Sequence, residues 1–407
     1  MSFQQGLSGL NSSAKNLDAI GNNVANASTV GFKQSQAQFA DQYAASMAGA
    51  SPLQVGSGGR VAAVMQQFSQ GNITATNNSL DIAISGPGFF LVKDQNLNPY
   101  YTRNGQFHED LSGFLVNNMG HNLQGYTATP ATPLVAAQLT TTIGPLKIDK
   151  TDAPPKPTST AAIKVNLDAS AVIGGTGGAE STSITVYDST GAPHMATLTF
   201  TKQVVPGGAP AGTVSSWLAT LKVDNVANAL APAPADLNFD INGTLTTAVP
   251  TFTSTVVGAV GAIPFNLTGS TQYSGSFSIN SLAQNGYSKG TLSGYSTGSD
   301  GLITGRYTNG QTQPLGRMLL SSFPNQQGLQ PVGNNEWVST ATAGPVTGPL
   351  QPGTSGLGVL QSSAVEESNV DLTAELVAMI VAQRMYQANA QTIKAQDQIL
   401  QTVVNLR

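Results

Sequence analysis

LTAELVAMIVAQRMYQANAQTIKAQDQILQTVV, residues 372–404, decides how the rest of the chain is read. Leu372, Leu376, Met379, Gln383, Tyr386, Ala390, Ile393, Asp397, Leu400 and Val404 follow one another at alternating spacings of four and three. That spacing draws a seam along an α-helix, and a mostly apolar seam must meet another helix to leave water. The run 376–382, which includes Met379 and Ile380, is apolar on every face and expects burial on all sides. Beyond it, Tyr386, Ala390, Ile393, Ile399, Leu400, Val403 and Val404 cover about half the circumference at ~100° per residue. Gln387, Gln391, Lys394, Gln398, Gln401 and Asn405 form a narrow stripe on the other side. An ordinary solvated face would carry Glu and Lys; this one is almost all neutral amide.

At the other end of the chain, Leu7, Leu10, Ala14, Leu17, Gly21 and Val24 repeat at three and four. A helix is expected over 3–25, with Phe3, Leu7, Leu10, Leu17, Ile20 and Val24 on its apolar side. The Asn/Ser-rich stretch 22–29 and then Gly31 end it. The simplest arrangement is a helical hairpin of the two termini. Its difficulty is length: a helix over 369–406 would run about 55 Å, and the first helix about half that. The unmatched apolar surface calls for other copies of the chain.

Between the ends the period changes. Residues 32–70 are ambiguous, because Phe39, Tyr43 and Met47 recur at four while 56–59 is loop; the reading is a short helix and an irregular connector. From Leu80 the period is two. Ile82 and Ile84 alternate with neighbours, 89–92 reads as a buried strand, and Asn104-Gly105 and 117–120 read as turns. The clearest hairpin is 302–307, the turn Thr308-Asn309-Gly310, then 315–320. A Pro-rich connector at 153–157 introduces a middle of Ala/Gly/Thr/Val tracts, read as loose β structure around turns at 188–193 and Asn242-Gly243. The segment 344–358 reads as a Gly/Pro loop. The expected fold is multidomain and mainly β, with paired N- and C-terminal α-helices, coiled-coil-like, forming the inner core. Its divisions are 1–30 plus 366–407 (helical core), 31–70 plus 341–365 (connector), 71–145 plus 285–340 (inner β domain) and 146–284 (inserted outer β domain).

Composition narrows function. The chain has 407 residues, 40% hydrophobic but only 9% charged, with net charge −4; soluble proteins average about 25% charged. Scattered basic residues leave no footprint for nucleic acid, and no run approaches the ~18 apolar residues of a membrane span. There is no cysteine, which excludes disulfides and thiolate chemistry. The opening Met1-Ser2-Phe3-Gln4-Gln5 lacks the basic and apolar regions of a signal peptide. Gly294-Tyr295-Ser296-Thr297-Gly298 matches a nucleophile elbow in letters, but a strand rather than a helix follows, so a polar turn is expected. His108, His121 and His194 have no metal-ligand spacing, and His108-Glu109-Asp110 reads as a loop. The glycine groups make no phosphate loop. No catalytic, cofactor or metal site is expected.

Two terminal motifs carry a resemblance. The run 17–26, with Asn22, Asn23 and Asn26, followed by Thr29-Val30-Gly31-Phe32-Lys33, resembles the N-terminal signature of the bacterial flagellar rod/hook axial proteins. Ser368-Asn369-Val370-Asp371-Leu372, Val381-Ala382-Gln383-Arg384 and 386–390 resemble its C-terminal counterpart. Residues 80–90 and Tyr101-Thr102-Arg103-Asn104-Gly105 are similar to the inner β domain of hook and distal rod members. The resemblance covers about 1–126 and 287–407, and a large inserted middle favours the hook branch over the shorter distal rod proteins. It implies a non-enzymatic subunit without cofactors, exported unfolded by the flagellar type III apparatus to an extracellular position. There its helix pairs stack into a tube around a channel. The implied partners are further copies, the distal rod protein, the hook-filament junction protein and, during assembly, a cap and a length-control ruler. On that reading Gln387, Gln391, Gln398 and Asn405 face the channel, and the isolated termini are disordered until assembly. A secreted adhesin would explain the middle but leave the terminal seams idle.

Overall fold

The computed structural model describes residues 2–42, 56, 58–132, 135–175, 177–228, 230–231, 233–247, 251–255 and 262–405. Two helices bracket a body of strands: α1, Ser2–Ala25, and α2, Leu372–Asn405. Their ends are chemically marked. After α1 the Asn26 side chain donates to the Asn22 carbonyl (3.0 Å) and Oδ1 (2.9 Å), and Gly31 takes φ +73°, a left-handed conformation that favours glycine. Ahead of α2, Asp371 Oδ1 accepts from the backbone N–H groups of Thr373 (2.9 Å) and Ala374 (3.1 Å), a cap contributing about 1 kcal/mol.

The helices pack antiparallel. Gly6 faces Ile393, Gly9 faces Asn389, Asn389 Nδ2 donates to Ser13 Oγ (3.3 Å), and Asn23 Nδ2 donates to Glu375 Oε1 (3.2 Å). At 24 and 34 residues the helices are about 36 and 51 Å long. The first helix is therefore about two-thirds of the second, longer than the half expected. The pairing puts the surplus at the C-terminal end of α2, beyond about residue 396.

Among the described residues of 32–70 the expected helix is not there. Its place is taken by an antiparallel pair, β1 (Ser35–Gln42) and β2 (Gly58–Gln66). Phe39 lies in β1 and is half exposed, whereas Tyr43 and Met47 fall outside the described residues. A two-stranded ribbon is marginal alone, and α1 supplies what it lacks. Asn23 both accepts from the Ser35 N–H (2.8 Å) and donates to its carbonyl (2.8 Å), and Gln5 Nε2 donates to the Gly56 carbonyl (2.6 Å).

In the inner β body, early and late strands interleave: Asn122–Thr129 pairs with Thr312–Met318, and Phe89–Lys93 with both Pro99–Thr102 and Leu320–Ser322. The hairpin Leu302–Tyr307 with Thr312–Met318 forms as its turn requires. Ile82, Ala83 and Ile84 are all fully buried, so this strand is covered on both faces rather than alternating. The expected 344–358 loop contains a strand, Thr347–Leu350, held by Leu320–Ser322; local Gly and Pro content hid a pairing made across the fold. One core gathers Leu80, Ile84, Phe90, Leu115, Ile303 and Leu360. Another is aromatic, with Phe89, Tyr101, Phe323 and Trp337 joined by Phe68 in edge-on contacts at 4.7–6.0 Å.

The middle is less loose than its composition suggests. Sheets containing Ala179–Tyr187, Pro193–Gln203 and Ser215–Val223, and Ala161–Asn166 with Ser278–Gln284, enclose one continuous core around Ile163, Leu198, Phe200, Trp217, Phe239 and Phe265. Along Ala179–Tyr187, Ser181, Ser183 and Thr185 face outward while Ile184 and Val186 are buried. Five turns across both β regions share one device. Asp94, Asp110, Asn117, Asp188 and Asp240 each accept through Oδ1 from the N–H groups two and four residues on. The fourth residue has positive φ: Gly113, Gly120, Gly191, Gly243 and, alone without being glycine, Leu97 at +66°.

Candidate assembly surface and the joint beneath it

Where the helix pair meets the β body, both chain ends cross in the same place, and a buried ion cluster binds the crossings. Lys33 Nζ lies 2.6 Å from Glu366 Oε1, with both side chains fully buried, and Arg103 Nη1 lies 3.2 Å from Glu366 Oε2. Most of the remaining valences are satisfied, Arg103 Nε being the exception. Lys33 also donates to the Ser69 carbonyl (2.7 Å), Glu366 accepts from the Gly71 N–H (3.0 Å), and Arg103 Nη2 donates to the Gly86 carbonyl (3.0 Å). Burial pushes the Lys33 ammonium below its ordinary range, and the Glu366 carboxylate opposes that shift. Such a cluster adds little net stability but costs heavily if one partner is lost.

Neighbouring signature residues fasten backbone. The Gln34 N–H donates to Asn369 Oδ1 (2.8 Å), while Asn369 Nδ2 donates to the Gln67 carbonyl (2.8 Å) and Ser69 Oγ (2.9 Å). The Gly31 N–H donates to the Glu366 carbonyl (2.8 Å), and a Cβ at Gly31 would lie 2.7 Å from the Asn104 nitrogen. Phe32 is buried beside them. A polar cleft of about 340 Å³ lined by Asn22, Asn26, Lys33, Glu336 and Trp337 opens next to this joint.

Above the joint the surface is different. Ile20 is buried and Leu10, Leu17 and Val24 are half-buried, but Leu7 is exposed. The closest approaches of α1 to α2 are made at Gly6, Gly9, Ser13 and Asn23, on the face that also carries Leu17, Ile20 and Val24. On α2, Glu375, Ala382, Asn389 and Ile393 face α1. The expected all-round burial of 376–382 is not met within one subunit: Leu376, Val377, Ile380 and Val381 are 45–57% exposed. Met379 and Ile393 are half-buried, while Leu372, Gln383, Arg384, Tyr386 and Leu400 are exposed. The reason is that α1 is one narrow cylinder and covers only one side. Gln387, Gln391 and Gln398 are exposed, roughly 150° around the helix from the α1 contact at ~100° per residue. Val403, Val404 and Asn405 belong to the last turn of α2, but their side chains lie outside the described residues.

Glu366, Arg103, Glu375 and the Gly6–Gly9–Ser13 face were not singled out by the sequence. The available signal was an acid directly after two apolar residues, Ala364-Val365-Glu366, in a chain with few charges. Ser296 sits mid-strand with its Oγ 3.3 Å from Thr304 Oγ1, which is a cross-strand pair and not an elbow. His108–Glu109 is a short strand, where a loop was expected, paired with Leu115–Val116.

Sequence profiles of four families match the chain: "Flagella basal body rod protein" over residues 3–33, "Flagellar hook protein FlgE/F/G D1 domain" over 83–177, "Flagellar basal body protein FlaE D2 domain" over 166–287 and "Flagellar basal body rod FlgEFG protein C-terminal" over 361–406. The flagellar hook protein FlgE of Escherichia coli is 40% identical over 429 residues, and that of Salmonella typhimurium 41% over 421, each alignment spanning 100% of both chains. The chain belongs to the flagellar hook protein FlgE family. A more distant FlgE, from Borreliella burgdorferi, is 31% identical over 100% of this chain and 99% of its own. The fold resembles the crystal structure of Helicobacter pylori flagellar hook protein FlgE2, with TM-score 0.53 at 13% identity, over 72% of this chain and 100% of that one. The chain is thus a hook subunit and a structural part of the flagellum, in a hook and rod family whose members self-polymerise. The two terminal profiles supply the two halves of the joint, Lys33 from one and Glu366, Asn369 and Asp371 from the other.

Proposed function

We propose that this subunit polymerises through α1 and α2 into a short curved hollow tube that works as a universal joint, carrying torque from the rod and motor to the filament. The observation that carries the reading is the exposure of Leu376, Val377, Ile380 and Val381 on a helix already paired with α1. At half exposure each offers roughly 1 kcal/mol on further burial, and a polymer of identical helices removes all of them from water together. The four-part division of the chain given above fits this role, with the helical core inside and 146–284 outermost. The seam residues from Leu7 to Val404 then make the contacts between copies, and the signature residues around Lys33 and Asn369 hold the helices on the β body.

The glutamine stripe, on the side of α2 away from α1, lines the channel with Gln387, Gln391, Gln398 and Asn405; neutral amides there give a passing unfolded chain no charge to bind. Outer contacts rich in Asn, Gln, Ser and Thr suit bending, since each is weak and replaceable by water. The further partners are the distal rod protein, the hook-filament junction protein, a cap, a length-control ruler and the type III apparatus that exports the chain without cleavage. Electron microscopy of the purified chain tests the reading: tubes with a central channel are expected, and persistent monomers under all polymerising conditions would overturn it.

A further inference from the structure

At ~100° per residue, four bands divide the circumference of α2. One is the α1 contact, centred on Glu375, Ala382, Asn389 and Ile393. Opposite it runs the glutamine stripe. Of the two flanks, one carries the first part of the heptad, Leu372, Leu376, Met379, Gln383 and Tyr386. The other carries Val381, Met385, Ala388, Thr392, Ala395 and Ile399, spaced four, three, four, three, four, all exposed. This second row is as regular as the first and lies roughly 170° away from it. Between Leu372 and Tyr386 the first row carries no charge, and neither does the second; Glu375 and Arg384 lie on other faces, while Lys394 and Asp397 follow the first row only beyond Tyr386.

We propose that these rows are the two complementary edges of a head-to-tail contact between copies of this chain, the first row of one α2 packing on the second row of the next. The inference rests on the polymer reading above and adds which surfaces join. Size supports it: the first row presents Leu, Met and Tyr, and the middle of the second presents Ala, Thr and Ala, so knobs meet holes. Closure supports it too. A two-fold contact of one row with itself would leave the other row of both copies in water, whereas edge-to-edge joining covers both on every interior copy. The rows are also displaced along the helix. The first is centred near Met379 and the second near Ala390, eleven residues on, so parallel neighbours that align them are staggered by about 16 Å. A stagger of that kind produces a rising spiral and not a flat ring.

The absence of cysteine permits a direct test on the full chain. Close to that stagger, at twelve residues, Gln383 of one copy meets Ala395 of the next, and Leu376 meets Ala388. The double variants Q383C/A395C and L376C/A388C, polymerised and then oxidised, are expected to run on denaturing gels as ladders of dimer, trimer and higher species. Each single variant is expected to remain monomeric, and a mixture of Q383C with A395C to stop at dimer. A single variant that links to itself would overturn the proposal in favour of a two-fold contact. Tubes that form normally but stay monomeric on the gel for both pairs would overturn the edge assignment while leaving the polymer reading intact. Absence of tubes before oxidation would overturn both.

Discussion

The joint around Glu366 and the flanks of α2 lie in the same chain ends but are built on opposite principles. At the joint, polar groups are sealed from water and nearly every hydrogen-bonding valence is used within the subunit. On α2, apolar groups stand in water with nothing among the described residues to cover them. The first arrangement fixes geometry at little net gain in stability. The second withholds stability from the monomer and releases it on assembly. A subunit that must be rigid inside and adhesive outside separates the two tasks by a few residues on either side of Asp371.

Substitutions can break that contrast from each side. Glu366→Ala leaves Lys33 and Arg103 buried without their anion and is expected to cost about 3–5 kcal/mol, read as a lowered urea midpoint. Lys33→Met should cost less, because Glu366 keeps Arg103 and the Gly71 N–H. Gly9→Leu places a side chain where a Cβ already meets Asn389 at 2.9 Å. Overpacking of that kind is expected to cost about 1–3 kcal/mol, seen as earlier loss of helical circular dichroism than of the β signal.

A fourth substitution sharpens the contrast by removing an ionic contact that water reaches. His194 Nδ1 lies 2.6 Å from Asp224 Oδ2, and this hydrogen bond, with help from Asp188, raises the imidazole above its ordinary 6.5. Its contribution is fully present below that value and lost as pH rises through the raised one. The advantage of the native chain over His194→Gln in thermal melts should therefore be greatest below pH 6.5 and fall away as pH rises through the raised value. Hydrogen bonds led by Thr190 hold Asp188 down at about 2, so its contribution is present above the usual carboxylate value and lost as pH falls through about 2.

Leu97→Gly relieves the one of the five Asp/Asn turns whose left-handed position is not glycine and is expected to gain about 0.5–1 kcal/mol. Val381→Asp completes the comparison: the monomer's melting should shift by no more than about 0.5 kcal/mol, while tubes no longer form by electron microscopy.

Much of this was legible in the sequence. Heptads located both helices, and alternation with Asn-Gly or Asp-x-x-Gly turns located the strands at 89–93 and 302–318. What was missed depends on distant partners. β1 is rich in Gln and Ala, has little strand preference of its own, and is held by β2 and by Asn23. Thr347–Leu350 is a strand only because Leu320–Ser322 lies beside it. Glu366 matters because of a lysine 333 positions away. The helix interface also holds residues the heptad did not point to: its closest approach uses Gly6 and Gly9, where there is least to see.

The two crossings beside Lys33 have a mechanical consequence. A body joined by one strand of polypeptide can spin about single bonds, and such a connection is a swivel that transmits no turning force. Here the helix pair enters the β body through two strands of the same chain, near residues 29–34 and 366–371, cross-linked by ions and amides. Two parallel straps cannot rotate without winding around each other. The connection can tilt, but it cannot freewheel, so rotation of one part is rotation of the other.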